Sequence, residues 1–259
     1  MSTIACGSIR SCGVTTLAAG LTGVWPAPRR LAELDPAGGV LAAAAGRAAQ
    51  PGLVSLAAAV RRRPDPGLLD EHCQELLGDV PVVCGPPSAE QARAALSMLT
   101  PVLDRLAELD GCVLADCGRL DPGSLALPVF TSATLPLLVV RPRLADLHAA
   151  AEWLRGPGRP RQAGLVVVGS GPYGQAEISE ALGITVHGEV PWDPEVADAT
   201  LVESLSGRHL SRSALARSLR TLSGRLSDLL TASSGNTTVP LTSPQATEVT
   251  TKPVVEASR

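Results

Sequence analysis

Short uninterrupted apolar runs, each followed by a turn and then by a stretch of helical character, constrain this chain more than any other feature. They lie at 3–5, 30–34, 80–84, 112–115, 135–140, 164–168 and 184–190. A strand that alternates apolar and polar residues keeps one face in water. A strand that is apolar throughout has to be covered on both faces, which is the condition of a parallel sheet flanked by crossover helices. Stretches at 15–25, 53–63, 88–109, 144–154, 175–182 and 211–230 supply those helices. Ser88, with Gln91 three residues on, has the spacing of a helix-start capping box. The pattern predicts an α/β fold: a mainly parallel sheet of about seven strands with helices on both faces.

Composition matters at three points. Aromatic residues are 2% of the chain against 45% hydrophobic overall, so the core has to be built from Ala, Leu and Val. Past Leu230 the sequence turns rich in Ser, Thr and Pro, with almost no large apolar side chains. Such a segment cannot offset the entropy of ordering itself. Residues 1–231 are therefore expected to form one domain and 232–259 a disordered tail. The six cysteines form no CxxC pair and have no His at zinc spacing, which predicts buried free thiols in a reducing, cytoplasmic compartment. No leader segment is recognisable, and the apolar stretch 125–140 is broken by Pro128 and Pro136, so no transmembrane segment is expected. A net charge of −3 gives no general attraction to nucleic acid.

Ligands of open α/β sheets bind at the carboxyl ends of the strands, and three such ends carry suggestive residues. Cys6-Gly-Ser-Ile-Arg-Ser-Cys-Gly-Val-Thr-Thr16 joins a strand to a helix. A phosphate-binding loop in that place has Gly-x4-Gly-Lys-Ser/Thr, whose amides cradle phosphates and whose hydroxyl holds Mg2+. Gly13 and Thr15 fit, Ser8 stands for the first glycine, and Val14 stands for the lysine. Glu33-Leu-Asp-Pro-Ala-Gly-Gly39 follows the second run, and Val113-Leu-Ala-Asp-Cys-Gly118 is an apolar strand ending in Asp116. A carboxylate at such a strand end is the Walker B arrangement, which holds Mg2+ through water. Taken singly, each also reads as an ordinary turn or a surface acid.

In this order the three segments resemble the ParA/MinD family of P-loop ATPases, as do Leu138-Val-Val-Arg-Pro142 and Val190-Pro-Trp-Asp-Pro194 further on. The resemblance covers residues 1 to about 230 and implies a P-loop NTPase fold. It implies ATP and Mg2+ as ligands, with Ser11, Cys12, Gly13, Val14, Thr15 and Thr16 around the phosphates and Pro191 near the adenine. Thr15, Asp35 and Asp116 would sit at the metal, with Asp35 and Asp116 as the catalytic acids. It also implies a homodimer, and protein partners in a positioning, partitioning or secretion and pilus apparatus.

The chain departs from the family at both of its loop lysines. Aligned on Gly13 and Thr15, those positions are Val14 and Ile9, and the only lysine in the chain is Lys252. Losing one charge-assisted phosphate contact costs roughly 1.5–3 kcal/mol, and the fixed charge supplies much of the stabilisation in phosphoryl transfer. The expectation is weak or absent ATP hydrolysis, with Arg10 as a candidate replacement cation and Arg119 and Arg141 behind it. A slow ATPase working through Thr15, Asp35 and Asp116 remains an alternative. A third reading rests on Gly169, Gly171 and Gly174, a literal Gly-x-Gly-x-x-Gly between strand and helix with Glu189 beyond, which fits an NAD(P)-dependent enzyme. The short helix after it, Pro172 in the loop and its late place in the chain argue against that. The four histidines are scattered, Asp193 reads as a cap, and the arginines of 211–230 read as a solvated face.

Overall fold

A computed structural model of the 259-residue chain describes residues 2–26, 28–103, 105–160, 162–201 and 210–235. In chain order the elements are β1 (Ser2–Ser8), α1 (Val14–Val24), β2 (Arg29–Glu33), α2 (Leu41–Ala44), α3 (Leu53–Val60), α4 (Leu68–Glu71), β3 (Gln74–Leu76), β4 (Val80–Val83), α5 (Ala89–Leu103), β5 (Cys112–Arg119), α6 (Leu127–Ser132), β6 (Leu135–Val140), α7 (Leu144–Leu154), β7 (Gly164–Val168), α8 (Gln175–Leu182), β8 (Val186–Val190), α9 (Pro194–Thr200) and α10 (Ala214–Gly235). The strands form one eight-stranded sheet in the order β3-β4-β2-β5-β1-β6-β7-β8. Every pairing is parallel except β3 with β4.

The uninterrupted apolar runs are covered on both faces, as their composition requires. Ile4, Leu31, Leu114, Leu137 and Val166 point to one side, into a cluster with Leu17 and Leu21 of α1 and Leu219 and Leu222 of α10. Their neighbours Ala5, Ala32, Val113, Leu138 and Leu165 point to the other, against Leu56 of α3, Leu96 and Leu99 of α5, Phe130 of α6 and Trp153 of α7. The predicted α/β sheet with helices on both faces is the observed one, with one strand more than expected. The extra strand, β3, is a polar three-residue edge strand with no apolar run to betray it.

Other boundaries moved for physical reasons. β1 extends to Ser8, so Cys6 and Gly7 are sheet where a loop was expected. Two strands hold this end: Ser8 pairs with Arg119 on one side and Val139 on the other. The helix expected over 88–109 ends at Leu103. Pro101 removes the N–H that would bond the Ser97 carbonyl, and the Thr100 hydroxyl donates to that carbonyl instead at 3.2 Å. α10 runs to Gly235, past the boundary drawn at 231, and the remainder of the expected tail lies outside the described residues. Among the described residues no helix is long and apolar enough to cross a membrane.

Candidate functional site

β1, β5 and β2 are adjacent and parallel, so their carboxyl ends share one rim. In register, Asp116 lies beside Cys6 on one side and beside Glu33 on the other. The turn after β1 leads into α1 through Gly13, whose φ of +88° is in the left-handed region that favours glycine. No side chain caps α1, so the N–H groups of its first turn are the ones a helix leaves without internal partners. Ser8, Ser11, Cys12, Gly13, Val14, Thr15, Thr16 and Asp35 all line one cleft of about 800 Å³, together with Gly118, Arg93 and Arg119. The three segments singled out in the sequence therefore meet at one place, with Asp116 buried at its foot.

Asp116 is fully buried. One carboxylate oxygen accepts the Gly118 N–H at 3.0 Å, and the other, Oδ2, has no hydrogen-bond partner. Burial pushes its pKa up to about 7, the Glu33 and Asp35 carboxylates add to the rise, and the Thr15 hydroxyl and the Gly118 N–H oppose it. A buried carboxyl group with one oxygen unsatisfied, beside a threonine hydroxyl, is a position that a proton or a cation would stabilise. Mg2+ suits it, since that ion needs only one or two carboxylates when substrate phosphates complete its shell. Among the described residues no group of three or more His, Cys, Asp or Glu is placed to hold a metal by itself.

Asp35 opens the turn after β2. Its Oδ1 accepts the Ala37 N–H at 2.8 Å, and its carbonyl accepts the Gly38 N–H at 3.0 Å. Its carboxyl group packs against the Cα of Gly118, whose φ is +55°, so closely that a Cβ there would overlap it. Burial raises the Asp35 pKa, with Asp121 adding to the effect and the Ala37 N–H opposing it. Glu33 does something the sequence did not reveal. Its buried carboxylate accepts the N–H groups of Val40 at 2.6 Å, Leu41 at 3.1 Å and Gly85 at 2.8 Å. It thus ties the Asp35 turn to the start of the β4–α5 connection, leaving Asp35 as the acid of that segment which lines the cleft.

The remaining sequence candidates divide. Val14, at the lysine position, is 6% exposed and belongs to the core. Arg10 does not line the cleft; its guanidinium lies 3.6 Å from Asp146 on α7. Arg119 lines it but is paired with Asp121 at 2.9 Å. Arg141 is stacked over the Trp192 ring at 4.9 Å. Pro191 sits behind the turn, sharing a narrow crevice with Gly13, Thr16 and Trp192. Arg93 of α5 is the lining cation that sequence reasoning missed. It lies far along the chain from every motif, and only the fold brings it here. The nearby thiols are not nucleophiles: burial pushes Cys6 and Cys117 above the usual thiol range and Cys12 up to about 11.

A second cleft, of about 780 Å³, lies on the other side of Trp192, at the ends of β6, β7 and β8, and includes Arg141, Gly169, Gly171, Gly174 and Glu189. The fold accounts for Gly169, whose φ is +81°, and for Gly171 without a dinucleotide. Gly171 packs against the Pro142 carbonyl so closely that a Cβ would collide with it, while a Cβ at Gly174 would meet nothing. In the dinucleotide-binding fingerprint the third glycine permits close helix–strand packing, which Gly174 does not serve here. Asp193 caps α9, accepting the Val196 N–H at 3.2 Å. Arg217, Arg220 and Arg225 of α10 donate to the carbonyls of Arg212, Ser211 and His187 rather than presenting a free basic face.

No protein-family model matches the chain, and no curated protein sequence does. Solved structures do resemble it. A ParA family ATPase from Chlorobium tepidum TLS superposes with a TM-score of 0.67 at 16% identity, over 86% of this chain and 98% of that one. The cell division ATPase MinD of Pyrococcus furiosus gives 0.66 at 19%, over 88% and 100%. The septum site-determining protein MinD of Pyrococcus horikoshii OT3, complexed with Mg-ADP, gives 0.61 at 16%, over 88% and 97%. At these identities the likeness is one of fold.

Proposed function

We propose that this chain, whose fold is the ParA/MinD-type P-loop α/β fold, is a nucleotide-binding regulator or scaffold of intracellular partitioning, positioning or secretion and pilus assembly. It binds ATP or ADP with Mg2+ at the β1–α1 turn and hydrolyses ATP weakly or not at all. The observation that carries this reading is the buried, unpartnered Oδ2 of Asp116 at the foot of a cleft that the Gly13–Thr16 turn opens into. Thr15 and Asp116 would hold the metal, with Asp35 beside them, and the first-turn amides of α1 would meet the phosphates. The Mg-ADP bound by the Pyrococcus horikoshii neighbour supports this choice of ligand.

Bound Mg2+ would neutralise phosphate charge in a cleft lined by two acids, Asp35 and Asp121, and two arginines, Arg93 and Arg119. Asp116 is buried beneath it, bonded to the lining residue Gly118, and no lysine is among its described lining residues. With the lining charges balanced and Asp116 beneath them, Mg2+ would supply the surplus positive charge that the phosphates need, which makes binding metal-dependent. The loss of a cation at Val14 removes stabilisation needed more by the transition state than by the bound nucleotide, which separates binding from turnover. As the resemblance to the ParA/MinD family implies, the chain would form a homodimer and engage protein partners of such an apparatus. Residues 1–231 would make up the binding domain, followed by a tail.

Thermal shift with ATP·Mg, ADP·Mg and NADPH, beside turnover of radiolabelled ATP, tests the proposal. A shift with the Mg2+ nucleotides and none with NADPH, without family-typical turnover, is expected. Turnover that Asp35→Ala abolishes would make the chain an active ATPase instead.

A further inference from the structure

A cleft that receives a polyphosphate without a lysine has to find a positive charge elsewhere, and the placement of the arginines narrows the choice. Arg10 is turned to Asp146, Arg141 is stacked on Trp192, and Arg119 is held by Asp121. To meet a phosphate, Arg119 would first have to leave Asp121, whose carboxylate would then face the incoming anion. Arg93 differs: it lines the cleft and has no ion-pair partner among the described residues. It also stands on a firm base. α5 is a helix of 15 residues whose one proline, Pro101, lies two turns beyond Arg93, and Ala92, Ala95 and Leu96 are buried beside Arg93. The connection leading into α5 is tied to the Asp35 turn twice, by Gly85 N–H to Glu33 at 2.8 Å and by Gly39 N–H to the Pro86 carbonyl at 2.8 Å. The helix that carries Arg93 and the turn that carries Asp35 are thus one connected wall of the site.

We infer that Arg93 is the cation that contacts the phosphate chain of the bound nucleotide, approaching from α5 across the cleft in place of a lysine in the β1–α1 turn. The inference rests on the nucleotide reading above and adds to it a second wall. The negative charge of the ligand is met from two sides, by the amides of α1 on one and by a planar, permanently charged guanidinium on the other. That geometry suits bidentate contact with phosphate oxygens. Because the charge sits on a different element, phosphate binding also couples α5 and the Asp35 turn to α1.

Titration calorimetry of the full chain with ATP·Mg and, separately, with inorganic tripolyphosphate and Mg2+ tests it. The wild type is expected to bind both. Arg93→Ala, an exposed-helix change that leaves the fold intact, should weaken both by roughly ten- to a hundredfold. Arg93→Lys should recover most of the loss, and Arg62→Ala, which removes an exposed arginine outside the cleft, should lose nothing. Wild-type affinity for both ligands in Arg93→Ala overturns the assignment and leaves the nucleotide reading standing. A loss confined to ATP·Mg, with tripolyphosphate affinity unchanged, places Arg93 on the base or ribose and also overturns it. A wild type that binds neither ligand removes both proposals together.

Discussion

Glu33, the acid that precedes the Asp-Pro turn, spends its carboxylate on three backbone N–H groups. Burial raises its pKa even though those N–H groups favour the charged form. Glu33→Gln replaces an acceptor pair with one acceptor and one donor, and leaves at least one buried N–H facing another N–H. The expected cost is roughly 1.5–3 kcal/mol, measured by denaturant unfolding. A second residue-scale expectation concerns His187 on β8, whose ring lies over Gly164. Burial first, and Arg225 second, lower its pKa below the ordinary 6.5. As pH falls the unfolded chain takes the proton before the folded one does. The stability His187 contributes is therefore present above pH 6.5 and is lost as pH falls through 6.5 toward the folded value. Asp116, Glu33 and Asp35, whose pKa values are raised, act in the opposite sense over this range, so the effect is read as a difference: from roughly pH 7 to 5 the stability of the wild type relative to His187→Gln should fall.

Among the elements, those defined by apolar burial were the ones legible in the sequence. β2, β4, β6 and β7 came out within a residue or two of their runs, because a strand buried on both faces has to be apolar throughout. β3 was not legible, since its hydrogen bonds to β4 define it and its side chains do not. Nor was α9 as a helix, although Asp193, which starts it, was read as a cap. α10 was legible from its stripe. Leu215, Leu219, Leu222 and Leu226 are buried, and Leu219 and Leu222 pack with Leu17 and Leu21 of α1, the helix whose first turn faces the cleft. Leu219→Ala should cost about 2–5 kcal/mol by transfer and cavity formation together. If α10 supports α1 in this way, the same variant should weaken ATP·Mg binding without touching the cleft, which titration of the variant can measure below its unfolding temperature.

For the whole molecule, strand order turns three separated sequence motifs into one site. The order β2-β5-β1 places the ends of three strands side by side although β5 follows β2 by some 80 residues of chain. The residues at those ends could be chosen from the sequence because each lies at the close of an apolar run. Arg93 could not, because its place depends on how α5 packs over the sheet and not on any local pattern. The same applies to Arg10, which adjoins the turn in sequence but is drawn aside to Asp146 on α7. The central claim is that the partly unsatisfied carboxylate of Asp116 and the Gly13–Thr16 turn together make a Mg2+-dependent nucleotide site. Equilibrium binding of ATP to the full chain, with Mg2+ and then with EDTA, in wild type and in Asp116→Asn, tests it most directly. The account predicts binding by the wild type that both EDTA and Asp116→Asn abolish or weaken at least tenfold. Binding that is the same with and without Mg2+, and the same in Asp116→Asn, would contradict it.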